Sequence, residues 1–200
     1  MARPRTFDET AVLDAAAREF RVHGFAETST EQLCEAAGVR RSSLYNTFAS
    51  KDELFVRALE HYVATTGSAH EAVLTDEDLH GAARLQGLMD LILDEEREAA
   101  AHGHAAGCMV VSARMAPDLS AKNEKVKNLL DRALERQLSL IEQTIRLGQL
   151  DGSLKPGNAA PDTARTMVAL ISGLRVLAQA GSTHEELRRV VTLALDGLRA

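Results

Sequence analysis

Between residues 40 and 51 the chain carries Arg40, Arg41, Ser42, Ser43, Tyr45, Asn46 and Lys51 and no acid; the nearest carboxylates are Glu35 and Asp52. Cations and hydrogen-bonding side chains gathered without acids suit a polyanion. An Arg can bond the edge of guanine through two N–H groups, an Asn can do the same with adenine, and hydroxyl or ammonium groups hold phosphates. A run of charge is also the ordinary outer face of a solvated helix, but an inert face usually mixes its signs. Lys51 stands at the expected start of a following helix, whose free backbone N–H groups attract anions.

A second set of reactive types is His102, His104 and Cys108, spaced His-x-His-x3-Cys. All are metal-ligand types, yet the spacing fits no closed zinc motif, so no metal is assigned. Cys108 has two readings. At the start of a helix the dipole lowers a thiol's pKa and makes it reactive. Equally, free Cys is among the most buried residue types and can simply be core. Around it an apolar effector site is expected from Leu88, Ile92, Met109, Leu134 and Met167, with Met89, Val110 and Leu138 beside them. The same residues equally describe core.

These groups need elements to hold them. Leu13, Ala16, Ala17 and Phe20 recur at helical spacing in a segment from Asp8 to His23, with Gly24 as its stop. A helix start follows at Thr28, with Glu31 three residues on as in a capping box. That short helix turns Leu33, Ala36 and Ala37 inward and ends at Gly38. A helix from about Arg41 to Phe48 has Leu44 and Phe48 as its buried pair. Helix, glycine turn, helix is the layout of a helix-turn-helix, whose second helix enters the major groove. Ser50 caps a helix from Lys51 to about Leu74. Further helices are expected at about 79–101, 108–115, 123–147, 162–180 and 183–198, with Pro117 and Asp118 as a break. The expectation is an all-α chain of about nine helices without strand or repeat. The last pair is the most apolar, and Met167, Ile171, Leu174, Leu187, Val190, Val191 and Ala194 are its candidate dimer contacts.

Four stretches, Gly24–Ser29, Leu33–Val39, Ser43–Phe48 and Ser50–Leu54, closely resemble the N-terminal domain of the TetR family of transcriptional repressors. The resemblance implies an N-terminal DNA-binding domain over 1–55 and a ligand-binding and dimerisation domain over 56–200. It implies a homodimer on a palindromic operator of double-stranded DNA, released when a ligand or a modification reaches the C-terminal domain. By position it makes Thr28, Tyr45 and Lys51 phosphate contacts and starts the recognition helix at Arg41, Ser42 and Ser43. Asn46 stands where the family often has His, and Cys34 where it usually has Ala. Gly107–Val111 and the residues after it are similar to a NemR-like subgroup, in which the matching Cys senses electrophiles and oxidants. The implied effector is therefore a small hydrophobic or electrophilic compound.

Composition sets the outer limits. Two hundred residues with 45% apolar and 26% charged content are a globular chain, and 4% aromatics disfavour sandwiches and barrels. Two distant cysteines, the absence of a signal-like N-terminus and the lack of a long apolar run lead to the expectation of a cytoplasmic protein without membrane contact. No phosphate loop, nucleophile elbow or paired carboxylates appear, so neither enzyme activity nor a cofactor is expected. The class left as alternative is a helical protein-interaction module that does not bind DNA. A net charge of -6 speaks against indiscriminate DNA binding, but the first 57 residues hold eight Arg/Lys against nine Asp/Glu, so most of the excess acid lies elsewhere.

Overall fold

The structure, a computed structural model, describes residues 8–101 and 108–200. His102 and His104 of the histidine–cysteine spacing lie outside the described residues. The described helices are α1 (Glu9–Glu27), α2 (Thr30–Ala37), α3 (Arg41–Phe48), α4 (Lys51–Leu74), α5 (Gly81–Ala101), α6 (Met109–Met115), α7 (Pro117–Lys122), α8 (Glu124–Leu150), α9 (Ala160–Gln179) and α10 (His184–Leu198). Only Ala116 separates α6 from α7, and counting them as one broken helix returns the expected nine. Among the described residues no strand occurs; a lone antiparallel bridge joins Leu154 to Arg199. No described helix is long and apolar enough to cross a membrane.

Local chemistry sets the boundaries of the first four helices. The Asp8 side chain accepts from the Ala11 N–H and opens α1. Gly24, at φ 74° and ψ 171°, breaks the helical path where the stop was expected, and one further turn follows. The capping box of α2 is one residue later than expected. Ser29 accepts from the Gln32 N–H while the Gln32 side chain accepts from the Ser29 N–H. Thr28 instead donates its hydroxyl to the Gly24 carbonyl at 2.6 Å, which binds the end of α1 to the start of α2. Gly38 closes α2 in the left-handed conformation. Ser50 caps α4 by accepting from the Glu53 N–H.

Two apolar clusters carry the fold. The first gathers Phe20, Leu33, Leu44, Phe48, Leu54, Phe55 and Leu59 from α1–α4, and with them Cys108, Met109, Ala113, Leu119, Val126 and Leu130 from α6–α8. Phe55 stands edge-on to both Phe20 and Phe25, each with ring centroids 5.0 Å apart. The second cluster unites α5, α8, α9 and α10 with Leu74 at the end of α4. Residue 55 lies within α4, and the first cluster reaches from α1–α4 into α6–α8. The start of α5 is held by the loop after α8, where Asp151 accepts from the Gly81 N–H and Ser153 from the Ala82 N–H. Gly81 lies so close to Gly148 that a Cβ there would stand 2.3 Å from the Gly148 Cα.

The dimer expectation needs correction. Met167, Ile171, Leu174, Leu187 and Val191 are buried within this chain's own second cluster and cannot face a partner. Helices α9 and α10 carry more apolar residues than one face holds, and periodicity alone did not say which face turned inward. Left outside are Val176 (53% exposed), Leu177 (41%) and Leu193 (79%), with Val190 and Ala194 half-buried beside them.

Candidate functional site

Leu44 and Phe48 are buried against Leu33 and Leu54, and this seats α3 with its other face outward. Arg40, Arg41, Ser42 and Asn46 are exposed on that face; Ser43, Tyr45 and Lys51 are half-buried at its edge. The structure thus brings together seven of the eight residues expected to read DNA. Thr28 is the exception, at 1% exposure with its hydroxyl already given to Gly24, so its side chain is closed to a phosphate. Ala36 also points outward rather than into the core.

Neighbours orient the face. The Tyr45 and Thr30 hydroxyls share a hydrogen bond of 3.0 Å. The Arg41 guanidinium donates to Glu31 at 2.8 Å and lies 5.6 Å from the Tyr45 ring centre. Lys51 sits over the Phe25 ring at 4.6 Å and makes no ion pair among the described residues. Cys34, half-buried on α2, has its thiol pKa raised by burial, then by Glu31, which keeps it a neutral packing residue.

Behind this face, between α4, α6, α8 and α9, is a cavity of about 530 Å³. Three of the six expected effector residues line it: Cys108, Leu88 and Leu134. The others do not. Met109 turns into the first cluster, while Ile92 and Met167 are sealed in the second. Met89 and Leu138 also lie off the lining, whereas Val110 is on it. Each lies on the right helix at the wrong phase. Cys108 is 9% exposed, and its sulfur accepts from the Tyr62 hydroxyl at 3.7 Å. Burial, then the neighbouring Cys108, pushes the Tyr62 phenol far above its ordinary value, so it remains a donor. Among the described residues no cluster of His, Cys, Asp and Glu could hold a metal.

The polar wall of the cavity was not expected. Arg175 of α9 is 3% exposed and donates at 2.7 Å to Glu95 and at 2.7 Å to Glu96, both on α5. His70 of α4 lies 3.3 Å from Glu95. Burial disfavours charge on Arg175, but Cys108, Tyr62 and Glu95 outweigh it and raise its pKa, so it stays a cation. The carboxylates differ. Burial raises Glu96 above its usual range against the pull of Arg175, whereas His70 and Arg175 overcome burial at Glu95 and lower it. A signal for this wall existed. Arg175 is the lone charge between Arg165 and Glu185, and it shares a helical stripe with Met167 and Ile171.

The chain matches two family descriptions, "Bacterial regulatory proteins, tetR family" over residues 12–58 and "Tetracyclin repressor-like, C-terminal domain" over residues 81–194. It is 27% identical over 193 residues to the HTH-type transcriptional repressor ComR of Escherichia coli (strain K12), covering 96% of this chain and 90% of ComR. Among solved structures it is similar to a triple cysteine mutant of the TetR family transcriptional regulator CifR, complexed with 26-bp double-strand operator DNA. The TM-score is 0.79 and the identity 29%, over 98% of this chain and all of that one. The reduced form of E. coli NemR shares the fold, with a TM-score of 0.73 at 21% identity over 96% of this chain and 98% of NemR.

The unequal carboxylates give a pH signature. Glu96, raised in the folded chain, binds its proton more tightly there than when unfolded. Its contribution to stability is therefore full below the unfolded value of about 4.3 and is lost as pH rises toward the folded value. The stability of the parent chain relative to a Glu96→Gln variant is expected to fall as pH rises above about 4.3. Urea unfolding of both proteins between pH 4 and 7 measures it; a constant or rising difference contradicts the assignment.

Proposed function

The chain belongs to the tetR family of bacterial regulatory proteins, and we propose that it acts as a homodimeric repressor released from a palindromic operator by a compound entering the cavity beside Cys108. Its relatives are transcriptional regulators, not enzymes. The observation that carries the reading is α3. Its apolar side is fully buried and its outward side presents Arg40, Arg41, Ser42 and Asn46 without an acid on the same helix. In a dimer two such helices enter successive major grooves when they stand about 34–36 Å apart.

The position of α6 supports this route of release. Cys108, Val110 and Val111 border the cavity, while Met109 and Ala113 on the other side of the same short helix pack into the core shared with α1. A compound that fills the cavity, or an electrophile such as a quinone that alkylates the Cys108 sulfur, needs room on one side of α6. Interiors are close-packed, so displacement passes to α1 and then to α2 and α3. The compound acts by binding better to a dimer whose α3 helices no longer match the groove spacing. Val176, Leu177 and Leu193 supply the apolar surface for the dimer, and Gly173 lets backbones approach there.

Three outcomes are expected. Tyr45→Ala and Lys51→Ala weaken binding to all sequences alike, whereas Arg41→Ala and Asn46→Ala cost about 1–3 kcal/mol on operator and also change the preferred base. Gel-shift titration against operator and scrambled duplex decides this; unchanged affinity in all four variants removes α3 as the reading helix. Cys108→Ser binds operator as the parent does but is no longer released by a quinone, and equal release of both proteins rules the thiol out as sensor. Leu193→Glu places a charge on the apolar face and yields monomers in sedimentation equilibrium; a persistent dimer places the interface elsewhere.

A further inference from the structure

The reading face includes one acid for which DNA binding offers no use. Glu31 lies in the first turn of α2 with its side chain 71% exposed, and its carboxylate accepts from Arg41 at 2.8 Å. An ion pair so exposed contributes little to stability, since water screens it and two long side chains must be ordered. A carboxylate facing a polyanion also opposes binding. Its position beside Arg41 therefore calls for another reason.

The two arginines of the face differ. Arg40 makes no ion pair among the described residues. Arg41 is held by Glu31 on one side and lies over the Tyr45 ring on the other, and Tyr45 is itself bound to Thr30, the residue before Glu31. The first turn of α2 and the first turns of α3 are thereby knitted together across the turn at Gly38. An unheld guanidinium swings to whichever phosphate is near. A held one bonds well only where acceptors come to its fixed fork.

We propose that Glu31 is a positioning residue for sequence discrimination. It fixes the Arg41 guanidinium for one base edge, and its charge repels the backbone of duplexes that do not offer that edge. Specificity then comes partly from a repulsive element. The proposal rests on the DNA-binding reading of α3.

The test uses the full-length protein and an operator selected by it from random duplexes. Fluorescence anisotropy measures affinity for operator and for scrambled duplex with the parent, Glu31→Gln, Arg41→Ala and the double variant. Glu31→Gln is expected to bind scrambled DNA more tightly and to lower the operator-to-scrambled ratio by about threefold to tenfold. In the Arg41→Ala background the same change leaves the ratio where it was. An unchanged ratio in Glu31→Gln overturns the proposal. So does an equal fall in both backgrounds, because Glu31 would then act independently of Arg41. A parent protein that selects no sequence overturns the DNA-binding reading itself, a result distinct from a selective parent whose Glu31→Gln variant is equally selective.

Discussion

The structure depends on α4 being a single rigid helix that enters two cores. Its first half gives Leu54, Phe55, Ala58 and Leu59 to the cluster that seats α1, α2 and α3. Its second half gives Tyr62, Val63, Thr66 and His70 to the cavity wall and Leu74 to the second cluster. Gly67 lies within α4 without breaking it, so the helix that seats α3 also walls the cavity. Helix α6 reinforces the link by meeting the cavity on one side and α1 on the other.

Electrostatics divides along the same line. The chain is acidic overall, yet the outward face of α3 carries no carboxylate of its own, and Glu31 beside it is paired with Arg41. At the other end of α4, Arg175 is buried between Glu95 and Glu96. A buried pair of this kind adds little net stability by itself, but removing one partner leaves a charge with no water to solvate it. The network therefore ties α4, α5 and α9 in one arrangement behind the cavity and makes alternatives costly.

Much of the DNA-reading half was legible in the sequence. The turn glycines, the Leu44 and Phe48 pair and the acid-free run identify α3 and its outward side, and local capping chemistry sets the ends. The cap of α2 falls at Ser29 rather than Thr28 because two neighbouring hydroxyls both suit a cap, and Ala36 lies at the margin of the stripe that Leu33 and Ala37 define. The C-terminal half was less legible. Leu88, Cys108 and Leu134 were found on the cavity, but Met109, Ile92 and Met167 sit on the same helices turned the other way. Arg175 announced itself as the only charge in a long apolar stretch, while its partners Glu95 and Glu96 look like ordinary solvated acids.

The sequence by itself determined the all-α architecture, the helix-turn-helix and the residues its reading helix presents, because these depend on interactions within a few residues of one another. Only the tertiary structure decided which side of each apolar helix faces inward. It turned Met167, Ile171, Leu174, Leu187 and Val191 into protomer core, left Val176, Leu177 and Leu193 outside, and placed Tyr62, His70 and Arg175 around one cavity with Cys108. The physical reason is that α9 and α10 carry apolar residues, Val176, Leu177 and Leu193, outside the stripe that each buries. Periodicity gives such a helix its period but not its rotation, and the rotation is set by what the neighbouring helices bury.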